Sequence, residues 1–211
     1  MEFLKKIIWT VMMTLWLWPP QQMTGQTQNM NKVISQFQQS YLEEASGDYQ
    51  KAIDALKEVY DEKSYELNLR LGWLTYQRGL FTESIAYYNK AVSLMPYAVE
   101  PRFGLVYPAS AMGNWNVVIA QYEKILEICP NQSVALHRLG LIYYGREDYH
   151  RALPYFEKVV NLYPFDYDAL IMLGWTKLKL NRINEASVLF QKALMHTPGG
   201  SSALEGLEQI K

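Results

Sequence analysis

The sequence contains little of what would build a disulfide or a metal site. Of its 211 residues one is a cysteine, Cys129, and three are histidines, His137, His150 and His196. A single thiol excludes an internal disulfide. No histidine lies three or four residues from another histidine or from the cysteine, which is the spacing that zinc sites use. Because Cys129 precedes Pro130 at the predicted end of a helix, we expect a half-buried thiol that packs as a small apolar residue.

Charge of one sign is also scarce. The formal net charge is −1, and no run of five like charges occurs. This balance gives no electrostatic footprint for nucleic acid or for an acidic membrane surface. The chain also lacks a glycine-rich phosphate loop, a Gly-x-Ser-x-Gly motif and a nucleophile beside a base. We therefore expect no nucleic-acid partner, no cofactor, no metal and no catalytic residue.

Long apolar runs are missing except near the N-terminus. Two lysines in the first six residues precede a mostly apolar run, Ile7–Trp18. A basic start followed by such a run is typical of a secretory signal. The run is shorter than the roughly 20 residues that span a bilayer. We predict that residues 1–25 are a signal peptide, that the mature chain begins near Gln26, and that it is exported to the periplasm or cell envelope, with no membrane span after signal removal. The alternative is an uncleaved N-terminal segment that anchors the protein.

The most regular feature of the sequence is a fixed period of 34 residues. Prolines keep this step at Pro96, Pro130, Pro164 and Pro198. Three further columns keep it too: Tyr88, Tyr122, Phe156 and Phe190; Ala91, Ile125, Val159 and Ala193; and Ser84, Val118, Ala152 and Ala186. Within each unit these columns lie three or four residues apart, which places them on one face of a helix. Leu71-Gly72, Leu139-Gly140 and Leu173-Gly174 mark an earlier helix in the same units.

These columns resemble the tetratricopeptide repeat, a helix-turn-helix unit of about 34 residues. Each proline starts a new unit because it cannot continue the preceding helix. Gly79 and Gly113 suit the turn between the two helices, since a residue without Cβ adopts positive φ at no cost. Glu147 and Asn181 stand at the same place in later units.

The resemblance implies an all-α fold, an α-solenoid of about five antiparallel helix pairs with a C-terminal capping helix. Four units cover residues 64–97, 98–131, 132–165 and 166–198. Residues 26–63 hold a linker and a degenerate first unit whose first helix is expected near 31–45, and residues 199–211 hold the capping helix. In the unit 98–131, Val106 replaces the column glycine and Pro108 lies inside the predicted first helix. We expect a bend or a lost backbone bond there.

In this family the first helices of the pairs line a concave groove that holds an extended peptide or a partner's helix. The resemblance places seven residues of this chain in that groove: Trp73, Tyr76, Phe103, Tyr107, His137, Tyr144 and Trp175. Aromatic anchors are typical of protein-binding hot spots. The opposite interpretation is that these side chains only pack against one another inside the solenoid, and the sequence leaves both open. The lysine and asparagine residues of the family's carboxylate clamp find no match here.

The function implied by the resemblance is that of a non-catalytic interaction scaffold, of a bacterial exported type, which binds a protein or peptide partner. The alternative is a structural solenoid that stacks with itself and forms a homo-oligomer in the cell envelope.

Overall fold

The computed structural model describes residues 20–210, with side chains described from Asn29 onward. Within this range the chain forms eleven α-helices and no β-strand. They are α1 (Pro20–Ala45), α2 (Tyr49–Lys57), α3 (Tyr65–Gln77), α4 (Phe81–Leu94), α5 (Glu100–Ala111), α6 (Trp115–Ile128), α7 (Ser133–Gly145), α8 (Tyr149–Leu162), α9 (Tyr167–Lys179), α10 (Ile183–His196) and α11 (Ser201–Glu208). The predicted all-α solenoid of five helix pairs and a final single helix is confirmed.

Polar side chains cap the starts of several helices. Asp48, Ser64, Asn114, Asp148 and Asp166 each accept a hydrogen bond from the backbone N–H three residues further on. Each of these bonds satisfies one of the N–H groups that a first helical turn leaves without a partner. The positions of these caps in the sequence therefore determine where α2, α3, α6, α8 and α9 begin.

The turns inside the pairs have the conformation that the sequence predicts. Gly79 and Gly113 have φ values of 81° and 71°. At the same place in later pairs, Glu147 and Asn181 both have a φ of 59°. For L-residues this left-handed region is costly, although Asn tolerates it better than Glu does. The turn geometry is thus conserved along the solenoid, at the expense of strain at Glu147.

In three of the helix pairs the core contains an aromatic ring that packs against glycine. The buried ring of Tyr88 lies between α3 and α5, so that a Cβ on Gly72 or Gly104 would be 2.9 Å or 2.2 Å from a Tyr88 ring atom. Phe190 lies in the same way between Gly174 and Gly206. Real Cβ atoms do not approach this closely, so each ring requires these glycines. Each of these two rings therefore packs both against the first helix of its own pair and against the helix that follows the pair.

Two local expectations, for the start of the first helix and for Cys129, are wrong, and the helix around Pro108 continues without its usual hydrogen bond. The first helix begins at Pro20, not near residue 31, because proline fits the first turn of a helix and nothing after it ends the helix before Ala45. Cys129 is exposed rather than half-buried, because it follows the last residue of α6 in the turn. Pro108 has no N–H to donate to the carbonyl of Gly104, yet α5 continues through it to Ala111.

The predicted signal peptide falls largely on residues 1–19, which lie outside the described residues. Among the helices that the structure describes, none combines the length and the apolar character needed to span a membrane.

Candidate functional site

Three of the predicted groove residues form one aromatic cluster on α3 and α5. The ring centroids of Trp73 and Tyr76 are 5.9 Å apart, those of Trp73 and Tyr107 are 6.1 Å apart, and those of Tyr76 and Tyr107 are 5.5 Å apart. These are edge and tilted contacts, which aromatic rings prefer to a face-to-face sandwich. Trp73 and Tyr76 are half-buried, whereas Tyr107 is 49% exposed. The cluster is therefore packed on one side and open to solvent on the other.

A first cavity, which we call the α3/α5 cavity, opens beside this cluster and has a volume of about 580 Å³. Its wall comes mainly from first helices of three successive pairs: Phe37, Tyr41, Tyr65, Glu66, Leu69, Arg70, Trp73, Tyr88, Glu100, Phe103, Gly104 and Tyr107. This is the side of the solenoid on which the groove was predicted.

Glu44 holds two of the wall residues in place. Its carboxylate accepts hydrogen bonds from the Arg70 guanidinium and, at 2.6 Å, from the Trp73 indole Nε1. Arg70 in turn lies 4.0 Å from the centroid of the Tyr41 ring. Burial acts to raise the pKa of Glu44, but the hydrogen bonds from Arg70 and Trp73 and the charge of Arg70 outweigh it, so this pKa lies below its ordinary value. Residues of α1 and α3 are thus fixed together at the cavity wall.

A second cavity, the α5/α7 cavity, lies on the other side of Phe103 and Tyr107 and has a volume of about 620 Å³. It is lined by Phe103, Val106, Tyr107, Ser110, Trp115, Val118, Tyr122, Val134, Arg138, Leu141, Ile142, Gly145 and Arg146. Phe103 and Tyr107 therefore separate two cavities and belong to both. Phe103 also contacts the Tyr122 ring, at 6.2 Å between centroids.

The two cavities differ in charge. The charged residues that line the α5/α7 cavity are Arg138 and Arg146, and no acidic residue lines it. Glu66 and Glu100 line the α3/α5 cavity, whose one lining cation, Arg70, is paired with Glu44.

His137 lies apart from the aromatic cluster. Its ring contacts Phe156 at 5.8 Å between centroids, and it lines a third cavity of about 430 Å³ together with Asp166 and Asp168. Its Nε2 is buried without a hydrogen-bond partner among the described residues. Burial, and to a lesser extent the positive charge of Arg138, lower the pKa of His137. Within residues 29–210, no group of three or more His, Cys, Asp and Glu side chains is placed to hold a metal ion.

The remaining two predicted residues also have contacts of their own. Tyr144 packs edge-on against Tyr149, at 5.2 Å between centroids. Trp175 packs against Phe190 at 5.2 Å, and its Nε1 donates a hydrogen bond of 2.8 Å to Ser202 in α11. Trp175 thus attaches the final helix, which is a packing role.

Sequence reasoning missed Trp115, which begins α6, is 47% exposed and lines the α5/α7 cavity together with Arg138. The signal for it was present in the 34-residue step, because Trp115 follows Phe81, the first residue of α4, by one period.

Two sequence profiles described as tetratricopeptide repeat match the chain, over residues 37–99 and 143–210, which together are more than half of it. A TPR repeat-containing protein, YpiA, from Bacillus subtilis is 26% identical over 183 residues. That match covers 84% of this chain and 43% of YpiA, so the chain spans less than half the length of this curated relative.

Solved structures share the fold. MamA has a TM-score of 0.67 at 23% identity, covering 78% of this chain and 91% of MamA. YrrB, described as a TPR protein with an unusual peptide-binding site, has a TM-score of 0.66 at 15% identity, covering 88% of this chain and 97% of YrrB. Repeat period, helix pairs, turn geometry and matched profiles agree, and the chain belongs to the tetratricopeptide-repeat family.

Proposed function

We propose that the chain is a non-catalytic scaffold that binds a peptide segment of a protein partner across the α3/α5 and α5/α7 cavities. Proteins of this family generally act as interaction scaffolds, which supports the class of function. The observation that carries the site is the Tyr107 side chain. It is half exposed, it stands between two cavities, and it is supported from behind by Trp73 and Tyr76.

Such an arrangement suits binding because the anchor is already ordered. An aromatic side chain that is held by neighbours loses little conformational entropy when a partner covers it. Phe103, Tyr107 and Trp115 offer apolar surface on the walls of cavities that a peptide side chain can enter. Aromatic residues in such pockets are enriched among binding hot spots.

The experiment is selection of binders from a displayed peptide library on the purified chain, followed by affinity measurement by calorimetry. Tyr107→Ala should weaken the binding of the selected peptides by about thirtyfold or more, which corresponds to the loss of about 2 kcal/mol that marks a hot spot. Tyr97→Ala is the matched control, because Tyr97 is 85% exposed in the turn after α4 and lines neither cavity. It should leave affinity within about twofold.

Failure to enrich any peptide, or equal losses in both variants, would reject this site. Light scattering of the same preparation tests the structural alternative, since a self-stacking solenoid must give a homo-oligomer without any peptide.

We also propose that the protein acts in the periplasm or cell envelope, on the strength of the basic and apolar N-terminal residues. N-terminal sequencing of the native protein should find a start near Gln26. An intact Met1 in a membrane fraction would support the anchored alternative, and an intact Met1 in the cytoplasm would reject export.

A further inference from the structure

We propose that the α5/α7 cavity takes an apolar side chain of the partner peptide, and that Arg138 and Arg146 bind the carboxylates of acidic residues beside it. This inference rests on the proposed function and specifies the class of segment: internal, apolar and flanked by Asp or Glu.

The α5/α7 cavity lies at the place where the packing of aromatic rings against glycines is interrupted, around Tyr122. Tyr88 and Phe190 each lie between two glycines, and Phe156 lies against Gly140. One period from those glycines, the neighbours of Tyr122 are Val106 and Arg138. Side chains therefore stand at both positions where Tyr88 and Phe190 have glycine. Val106, Tyr122 and Arg138 all line the cavity of about 620 Å³, together with Phe103.

The volume and lining of the cavity favour an apolar occupant. Cavities of 300–1,000 Å³ with mainly apolar walls are typical of ligand sites in proteins. Trp115, Val134 and Leu141 continue the apolar wall, and Tyr107 closes the side towards the α3/α5 cavity. An aliphatic or aromatic side chain entering here would cover surface that is now exposed on Tyr107 and Trp115.

The charges at the cavity favour an acidic neighbour to that apolar residue. Among the described residues no ion pair involves Arg138 or Arg146, whereas Arg70 pairs with Glu44 and Arg151 with Asp148. Asp166 and Asp168 lie with Arg138 around the third cavity, but neither forms an ion pair with it. Two arginines without partners beside an apolar cavity complement carboxylates, with which guanidinium groups form strong charge-assisted hydrogen bonds.

The positions of the two arginines also set a spacing. Arg138 and Arg146 are eight residues apart along α7 and the turn that follows it. At 1.5 Å per residue this separates their backbone positions by about 12 Å. An extended peptide covers that distance in about four residues. We therefore expect acidic side chains on both sides of the apolar residue, about four positions apart.

The test uses synthetic peptides based on the sequences selected in the library experiment, acetylated and amidated so that the terminal carboxylate is absent. Glu→Gln changes in the peptide should weaken binding to the wild-type chain by about fivefold, the upper end for an exposed ion pair. The same changes should lower the affinity for a chain carrying both Arg138→Gln and Arg146→Gln by less than about twofold, because the arginines that would bind the carboxylates are absent. Raising NaCl from 0.05 to 0.5 M should weaken only the acidic peptides with the wild-type chain.

Arg182→Gln is the matched control, because Arg182 is an exposed arginine that lines neither cavity. This variant should leave the difference in affinity between the Glu and Gln peptides the same as in the wild-type chain. Circular dichroism of each variant checks that the helices are intact.

The outcomes separate this inference from the function on which it rests. Peptides that bind and depend on Tyr107 but show no preference for Glu over Gln would overturn the acidic specificity while leaving the groove in place. Affinity that follows a free terminal carboxylate rather than side-chain carboxylates would also overturn it. Absence of any binding peptide would reject both proposals.

Discussion

The ring of Phe156 lies directly against Gly140, where a Cβ would come within 2.6 Å of the Phe156 Cε1 atom. Helices α7 and α8 therefore approach so closely that the smallest possible side chain is required. Tyr88 and Phe190 pack against glycines in the same way, so this contact offers a direct test of the packing in three of the helix pairs.

Gly140→Ala should destabilise the protein by about 1–3 kcal/mol, the usual cost of overpacking a core, even though alanine is the better helix former. Urea unfolding followed by circular dichroism measures the change. Gly145→Ala on the same helix is the control, because nothing lies within 4 Å of the Cβ it would add. That variant should be neutral or up to about 1 kcal/mol more stable. Equal stability of the two variants would contradict the packing described here.

Glu147→Gly should stabilise the protein, because Glu147 has a φ of 59° and glycine adopts this conformation without strain. We expect about 0.5–1 kcal/mol, since the relief of strain is partly offset by the entropy of an added glycine. Thermal unfolding provides the measurement. The reverse change at the equivalent turn, Gly113→Ala, should destabilise by about 1 kcal/mol. If Glu147→Gly lowers the stability instead, the side chain of Glu147 stabilises the fold by more than its positive φ destabilises it.

Trp175→Ala should lower the stability of the protein and leave peptide affinity unchanged. Tyr107→Ala should lower peptide affinity and change stability less. Trp175 packs on Phe190 and bonds to Ser202, so its removal loosens α11, at a cost of about 2 kcal/mol or more. Ser202→Ala removes only the hydrogen bond and should cost about 1 kcal/mol. Unfolding curves and calorimetric titration are compared for all three variants. If the folded Trp175→Ala variant loses peptide affinity, Trp175 contributes to peptide binding as well as to packing.

Stability should fall as the pH is lowered through about 6.5, the ordinary pKa of histidine, in part because of His137. The pKa of His137 is lowered in the folded state, so below 6.5 the unfolded chain binds a proton that the folded chain resists. Protonation then favours unfolding, and the stability contributed by the neutral ring is lost. Urea unfolding at pH 7.5 and 5.5 should show a larger difference in wild type than in His137→Gln. His150→Gln is the control, because His150 is exposed on α8.

The 34-residue period predicted the fold because each of its columns has a local physical cause. The spacing of Tyr88 and Ala91 indicates a helix face, and Gly79 indicates a turn, without any knowledge of distant contacts. The resemblance to the family placed Trp73, Tyr76 and Tyr107 in one groove, and in the structure the equivalent positions Trp73 and Tyr107 of adjacent pairs lie side by side.

The features that the sequence did not predict, the α5/α7 cavity and several side-chain contacts, depend on side-chain size and on which residues meet in space. The α5/α7 cavity is lined by Val106 and Arg138 on two different helices, and a periodic pattern of residues does not give the volume left between helices. The bond from Trp175 to Ser202 was also missed, because no earlier pair carries both a tryptophan and a serine at the corresponding positions. The contact of Tyr144 with Tyr149 within one pair was also not predicted.

The contact of Phe190 with Gly206 has a consequence for how such a chain can change in length. Gly206 meets Phe190 as Gly104 meets Tyr88, so α11 stands where the first helix of another repeat would stand. The chain is therefore a series of equivalent units in which α11 occupies the first-helix position of a further unit. Because each unit of such a solenoid contacts only its neighbours, insertion of a 34-residue block upstream of α10 should leave the contact between Phe190 and Gly206 unchanged.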